Sequence, residues 1–130
     1  MHISWLSLLL IIKIAVTGLL VAAPLLRLPK ARLEQLTHIT TQTSLFFRLY
    51  GMAITALLVG YAFGIPAAED GRFPWGVVCM GTVSNGGAAI LLLLNPQSTN
   101  TRVLAAFFAL IALGLIAAML LPAGALRKAW

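Results

Sequence analysis

FPWGVVCMGTVSNGGAAILLLL, residues 73–94, is the stretch whose reading decides the fold class. As a helix it would run roughly 33 Å, enough to cross a hydrocarbon core about 30 Å thick. No charge interrupts it, yet Thr82, Ser84 and Asn85 stand near its middle beside Gly81, Gly86 and Gly87. Polar side chains at that depth have to face protein or water, so this helix needs neighbours. The stretch therefore implies a helix bundle rather than a lone anchor.

Composition agrees. The 130 residues are 61% hydrophobic and 9% charged, against roughly 25% charged in a soluble domain, and the mean hydropathy is +1.00. The formal net charge is +6, but apart from Lys13 the basic residues are scattered through connectors, helix ends and the tail. Lipid phosphates suit them better than nucleic acid, which calls for a clustered basic face with stacking aromatics. Cys79 is the single cysteine, so no internal disulfide or Cys-x-x-Cys centre can form.

Three further apolar runs complete the pattern. Residues 5–26 form the first span; the run lacks the basic start and short core of a signal peptide and carries Lys13 within it. At 1.5 Å per residue Lys13 lies roughly 12 Å inside a helix beginning at Trp5. Residues 44–64 form the second span, with Ser44 as N-cap. Its Ala53, Ala56, Gly60 and Gly64 gather on one stripe, and Gly60 and Gly64 have the small-xxx-small spacing that lets backbones approach. The third span, 74–94, opens at Pro74, and the fourth, 102–121, is rich in alanine.

The expected architecture is an all-α, integral membrane four-helix bundle, with residues 1–130 as one transmembrane domain. Connector one is the longest. Pro29 there can start an interfacial helix over 29–37, with Leu33 and Leu36 on one side. His38 reads as a solvated loop residue, and Glu69 and Asp70 as part of a solvated turn over 65–72.

The spans lack most catalytic equipment. Glu34, Glu69 and Asp70 are the only acids, all in connectors, so no intramembrane carboxylate carries a proton or binds a cationic drug. No histidine lies in a span, which removes bis-histidine haem. No catalytic residue, metal site or cofactor is expected.

Two polar features remain inside the membrane. Lys13 and Thr17 share a face of the first helix, while Val77, Gly81, Ser84, Asn85 and Ala88 share an arc of about 100° on the third. Lys13, Thr17, Ser84 and Asn85 are thus the candidate polar cluster, and Gly81 joins the helix-packing residues. The alternative is that Ser84 and Asn85 bond neighbouring helices as structural glue while Lys13 snorkels to the headgroups, as Arg48 can.

The runs Phe47-Arg48-Leu49-Tyr50-Gly51, Leu58-Val59-Gly60-Tyr61-Ala62-Phe63-Gly64 and Gly81-Thr82-Val83-Ser84-Asn85-Gly86-Gly87-Ala88 resemble small uncharacterised bacterial four-span membrane proteins, broadly DoxX-like, over helices two and three. The resemblance implies a bacterial cytoplasmic membrane and brings no catalytic motif. Connectors one and three, with adjoining helix ends, carry Arg27, Lys30, Arg32, Arg48 and Arg102, against Arg72, Arg127 and Lys128 on the other side. The positive-inside rule then puts both termini on the non-cytoplasmic side, where Trp5, Trp75 and Trp130 form an interfacial belt. The expected function is that of a non-enzymatic accessory or interaction protein, whose partners are the bilayer and either further copies of itself or another membrane protein. The alternative is a small-solute or anion pathway lined by the polar residues of helices one and three.

Overall fold

The structure, a computed structural model, describes residues 3–95 and 99–129; Pro96, Gln97 and the belt residue Trp130 lie outside them. The described residues are helical with no strands, and Ser4 pairs with Lys128 in one isolated bridge. Four helical stretches, Trp5–Arg27, Leu45–Glu69, Trp75–Leu94 and Thr99–Leu120, are long and apolar enough to cross a membrane. The chain has the build of a multi-pass membrane protein.

Helix α1 (Trp5–Thr17) starts at Ser4, whose hydroxyl accepts the Ser7 N–H. That bond satisfies one of the donors every helix start leaves open. Leu6, Leu10, Lys13 and Thr17 form its buried stripe. A π turn, Gly18–Ala22, comes next, then α2 (Ala23–Arg27). Pro24 accounts for the turn. It has no N–H for the carbonyl four residues back and its ring crowds that carbonyl, so the coil widens and the Ala23 N–H reaches Gly18, five residues back. The extra residue moves the buried stripe on to Ala22 and Leu25 and leaves Leu19 and Leu20 turned outward.

Helix α3 (Lys30–Thr37) forms where the interfacial segment was expected, closed by His38 in the left-handed region at φ 57°. Leu33 is buried against Ala22, Leu25, Phe47 and Ile54. Leu36, expected on the same side, is exposed. Three residues along an α-helix turn the side chain by about 60°, enough to carry it past a narrow contact.

Helix α4 (Leu45–Glu69) continues beyond the expected end at Gly64, so the turn expected over 65–72 begins only after Glu69. Pro66 sits one turn from the end, where its missing N–H forfeits a single bond, and Ala68 extends the buried face. Ser44 makes no side-chain cap; the Thr43 hydroxyl accepts the Leu45 N–H instead, at 3.3 Å. Helices α5 (Trp75–Leu94) and α6 (Thr99–Leu120) follow, α6 beginning three residues before the expected 102, and α7 (Pro122–Ala125) ends the helical part.

The helices pack as two antiparallel pairs. The first span lies along α4, and α5 lies along α6 in the most extensive helix–helix contact among the described residues. Leu6, Leu10, Tyr61, Val78, Ile111 and Leu115 join the pairs in one core cluster. The second cluster, around Leu33 and Phe47, draws its buried members only from the first span, α3 and α4. Close approach depends on small residues. A methyl group on Gly64 would come within 2.9 Å of Val77 Cγ1, and one on Gly60 within 3.1 Å of Met80 Cε. Ala53 and Ala56, of the same expected stripe, lie on the outer surface of α4. The face that α4 buries carries the larger Phe47, Ile54 and Tyr61.

Two polar fastenings close the ends. Arg48 donates to the carbonyls of Leu25 at 2.7 Å and Leu28 at 2.8 Å. Those are last-turn acceptors that the helix itself cannot satisfy, and a cation there also suits the helix dipole. At the other end Glu69 Oε1 accepts from the Ser4 N–H and lies 3.0 Å from Ser4 Oγ. The tail adds Trp5 N–H to Arg127 O and Ala129 N–H to Ile3 O. The acid read as part of a solvated turn therefore holds the start of α1.

Candidate functional site

Lys13 belongs to the buried stripe of α1 and does not snorkel. It is 5% exposed, with its Nζ 4.3 Å from the centre of the Phe108 ring and 5.5 Å from that of Phe107. The π face of a ring attracts a cation, by about 2 kcal/mol or more where water is excluded. An ammonium withdrawn from water loses several kcal/mol of solvation, so the rings offset only part of the cost. Among the described residues the Lys13 ammonium makes no hydrogen bond or ion pair.

Thr17 lies one turn further along the same face, 2% exposed. Its hydroxyl has no hydrogen-bond partner.

Across the bundle, Asn85 on α5 is 1% exposed. Its Nδ2 donates to Tyr61 Oη at 2.9 Å and to the Gly81 carbonyl at 2.7 Å. Tyr61 Oη lies 3.0 Å from Ser84 Oγ, which in turn donates to the Gly81 carbonyl at 3.3 Å. Either hydroxyl can donate in the Tyr61–Ser84 bond. Both Asn85 amide protons and both hydroxyls are thus satisfied. Asn85 Oδ1 alone stays unpaired. Gly81 makes the arrangement possible, since a methyl there would meet Leu115 Cδ1 at 2.7 Å and Tyr61 Cε1 at 2.8 Å.

The four candidate polar residues therefore divide into two groups. Ser84 and Asn85 are linked through Tyr61, while Lys13 rests on Phe107 and Phe108 with Thr17 beside it; no hydrogen bond joins Lys13 to Asn85. Tyr61, the hub, is absent from the sequence-based set. It does carry a signal there, because a hydroxyl-bearing ring at mid-span wants a polar partner, and it lies one turn before the packing residue Gly64.

The remaining chemistry-bearing side chains serve the connectors or the outer surface. Glu34 takes Lys30 at 3.6 Å and the Thr41 N–H at 2.9 Å. Asp70 pairs with Arg72 in the open. Cys79 faces outward beside Met119. Among the described residues no three His, Cys, Asp or Glu side chains gather closely enough to hold a metal ion. A shallow apolar hollow of about 240 Å³ lies between α1 and α6 near Trp5 and Gly114, and another of about 430 Å³ lies beside Arg32 and Leu36. Neither is lined by Lys13, Thr17 or Asn85. Comparison with protein-family models, curated proteins and solved structures finds no match to this chain.

Proposed function

We propose that this chain is a non-enzymatic accessory or interaction protein of the bacterial cytoplasmic membrane. The observation that carries the reading is the burial of the polar side chains of the spans. Lys13, Thr17 and Asn85 are 5%, 2% and 1% exposed. A solute pathway needs a hydrated lining, and these polar groups are packed. The acids support the same reading, since Glu34 and Asp70 are engaged in connector bonds and Glu69 holds the start of α1.

Association would be lateral. Gly76 and Gly87 meet nothing within 4 Å, and Ala53 and Ala56 also face out, so α4 and α5 offer small-residue surface to another helix. The partner is a second copy or another membrane protein. The bacterial location rests on the resemblance over helices two and three. Both termini on the non-cytoplasmic side follows from the larger basic count at the connector end.

The test is solute flux into liposomes carrying the purified chain at matched protein loading. The expected result is no flux above empty liposomes across a panel of small anions. Flux that disappears in both Lys13→Leu and Asn85→Leu while the fold survives would replace this reading with the pathway.

A further inference from the structure

Helix α3 carries its charges unevenly. Glu34, the single carboxylate of connector one, takes the Lys30 ammonium at 3.6 Å and the Thr41 N–H at 2.9 Å. Arg32 has no such partner: among the described residues it makes no hydrogen bond or ion pair within the chain, and neither does Gln35. Leu33 points into the bundle. At about 100° per residue, Lys30 and Glu34 then fall on one flank of the helix and Arg32 and Leu36 on the other. The acid is neutralised on its own flank, and the guanidinium stands on the opposite one without a counter-charge.

The Arg32 flank is also where the surface is hollow. Leu28, Arg32, Gln35 and Leu36 line about 430 Å³ there. The Leu28 side is held in place, because its carbonyl accepts from Arg48 at 2.8 Å. Leu36 is 51% exposed, an apolar side chain turned out beside an unpaired cation. The hollow lies between the end of one membrane-length helix at Arg27 and the start of the next at Leu45. Headgroups meet acyl chains at that depth, and a segment with both basic and apolar side chains suits such a boundary.

From the hollow, its uncountered guanidinium and its exposed leucine we infer that this flank of α3 binds an anionic phospholipid. The lipid phosphate lies on Arg32 and Gln35, and the start of an acyl chain covers Leu28 and Leu36. The planar guanidinium fork matches two phosphate oxygens, and the Gln35 amide adds a further donor. A free phosphate would leave the leucines bare, and an apolar helix would leave Arg32 without a counter-charge; a phospholipid answers both. A net negative headgroup is preferred to a zwitterionic one, because the acid that would meet a choline is on the far flank with Lys30. The surface is independent of the accessory reading, since solute flux would overturn that reading and leave this one.

The experiment uses the full chain in a neutral detergent, titrated with dioctanoyl phosphatidylglycerol and separately with dioctanoyl phosphatidylcholine, with bound lipid counted by native mass spectrometry. The native chain should bind phosphatidylglycerol more tightly. Arg32→Gln should weaken that binding about fivefold, the loss of one basic contact to an anionic headgroup. Arg32 is exposed and unpaired, so its replacement leaves the fold intact. Arg102→Gln is the control, removing the same charge from an exposed position at the start of α6 that does not line the hollow, and it should leave the affinity unchanged. Inorganic phosphate at equal concentration should not displace the lipid. No preference for phosphatidylglycerol, a preference undiminished in Arg32→Gln, an equal loss in Arg102→Gln, or displacement by inorganic phosphate would overturn the site.

Discussion

Gly81→Ala is the perturbation that most directly probes how the bundle is held together. The added methyl would lie 2.7 Å from Leu115 Cδ1, 2.8 Å from Tyr61 Cε1 and 3.1 Å from Tyr61 Oη. The Leu115 methyl can rotate, but the Tyr61 ring is fixed at 1% exposure and by its bonds to Ser84 and Asn85. Overpacking a filled interior costs about 1–3 kcal/mol, and losing the Asn85 to Tyr61 hydrogen bond adds about 1 kcal/mol. Alanine's better helix propensity returns about 1 kcal/mol. The net expectation is destabilisation by about 1–3 kcal/mol. Gly87→Ala is the matched control on the same helix, since its methyl would meet nothing within 4 Å and should leave stability unchanged or raise it by up to about 1 kcal/mol. Reversible unfolding in mixed micelles, followed by far-UV circular dichroism, measures both. A Gly81→Ala protein as stable as Gly87→Ala would refute the close approach of α4, α5 and α6 around Tyr61.

Two further outcomes follow from the end fastenings. Arg48→Leu should destabilise the fold by about 1–3 kcal/mol in the same assay, because the carbonyls of Leu25 and Leu28 lose a charge-assisted partner. Arg48→Lys should recover only part of this, as one ammonium cannot reproduce a fork spanning two carbonyls; full recovery would show that charge alone matters. Ser4→Ala should cost about 1 kcal/mol through loss of the cap on α1, with faster amide exchange over residues 5–7. Unchanged exchange there would mean that Glu69 and the tail hold that end without the cap.

Much of the fold was legible because lipid imposes a simple rule. An apolar run of about 20 residues without carboxylates has to be a helix, and four such runs with short breaks have to pack together. The short helix of connector one was legible from Pro29 at its start and a leucine facing the bundle, and it forms over Lys30–Thr37. The end of α4 was misread at Pro66, because a proline in the last turn forfeits so little that burial of Ala68 outweighs it. The π turn was missed although Gly18 and Pro24 bracket it.

The candidate site divides in the same way. Lys13 and Thr17 share a face by arithmetic alone, since both lie on one helix four residues apart. That Asn85 bonds to Tyr61, that Lys13 rests on Phe108, and that Arg48 donates to the Leu25 carbonyl depend on which helices become neighbours and at what rotation. In a soluble helix the polar face declares its own rotation. Here both the interior and the surroundings are apolar, so Ala53 and Ala56 outside and Ile54 and Tyr61 inside carry no difference in polarity pattern that ranks one face over the other. The sequence by itself determined a bundle of membrane-length helices and a lone deep cation. Only the tertiary structure decided what that cation touches, because packing shape rather than hydrophobicity orients helices in an apolar solvent.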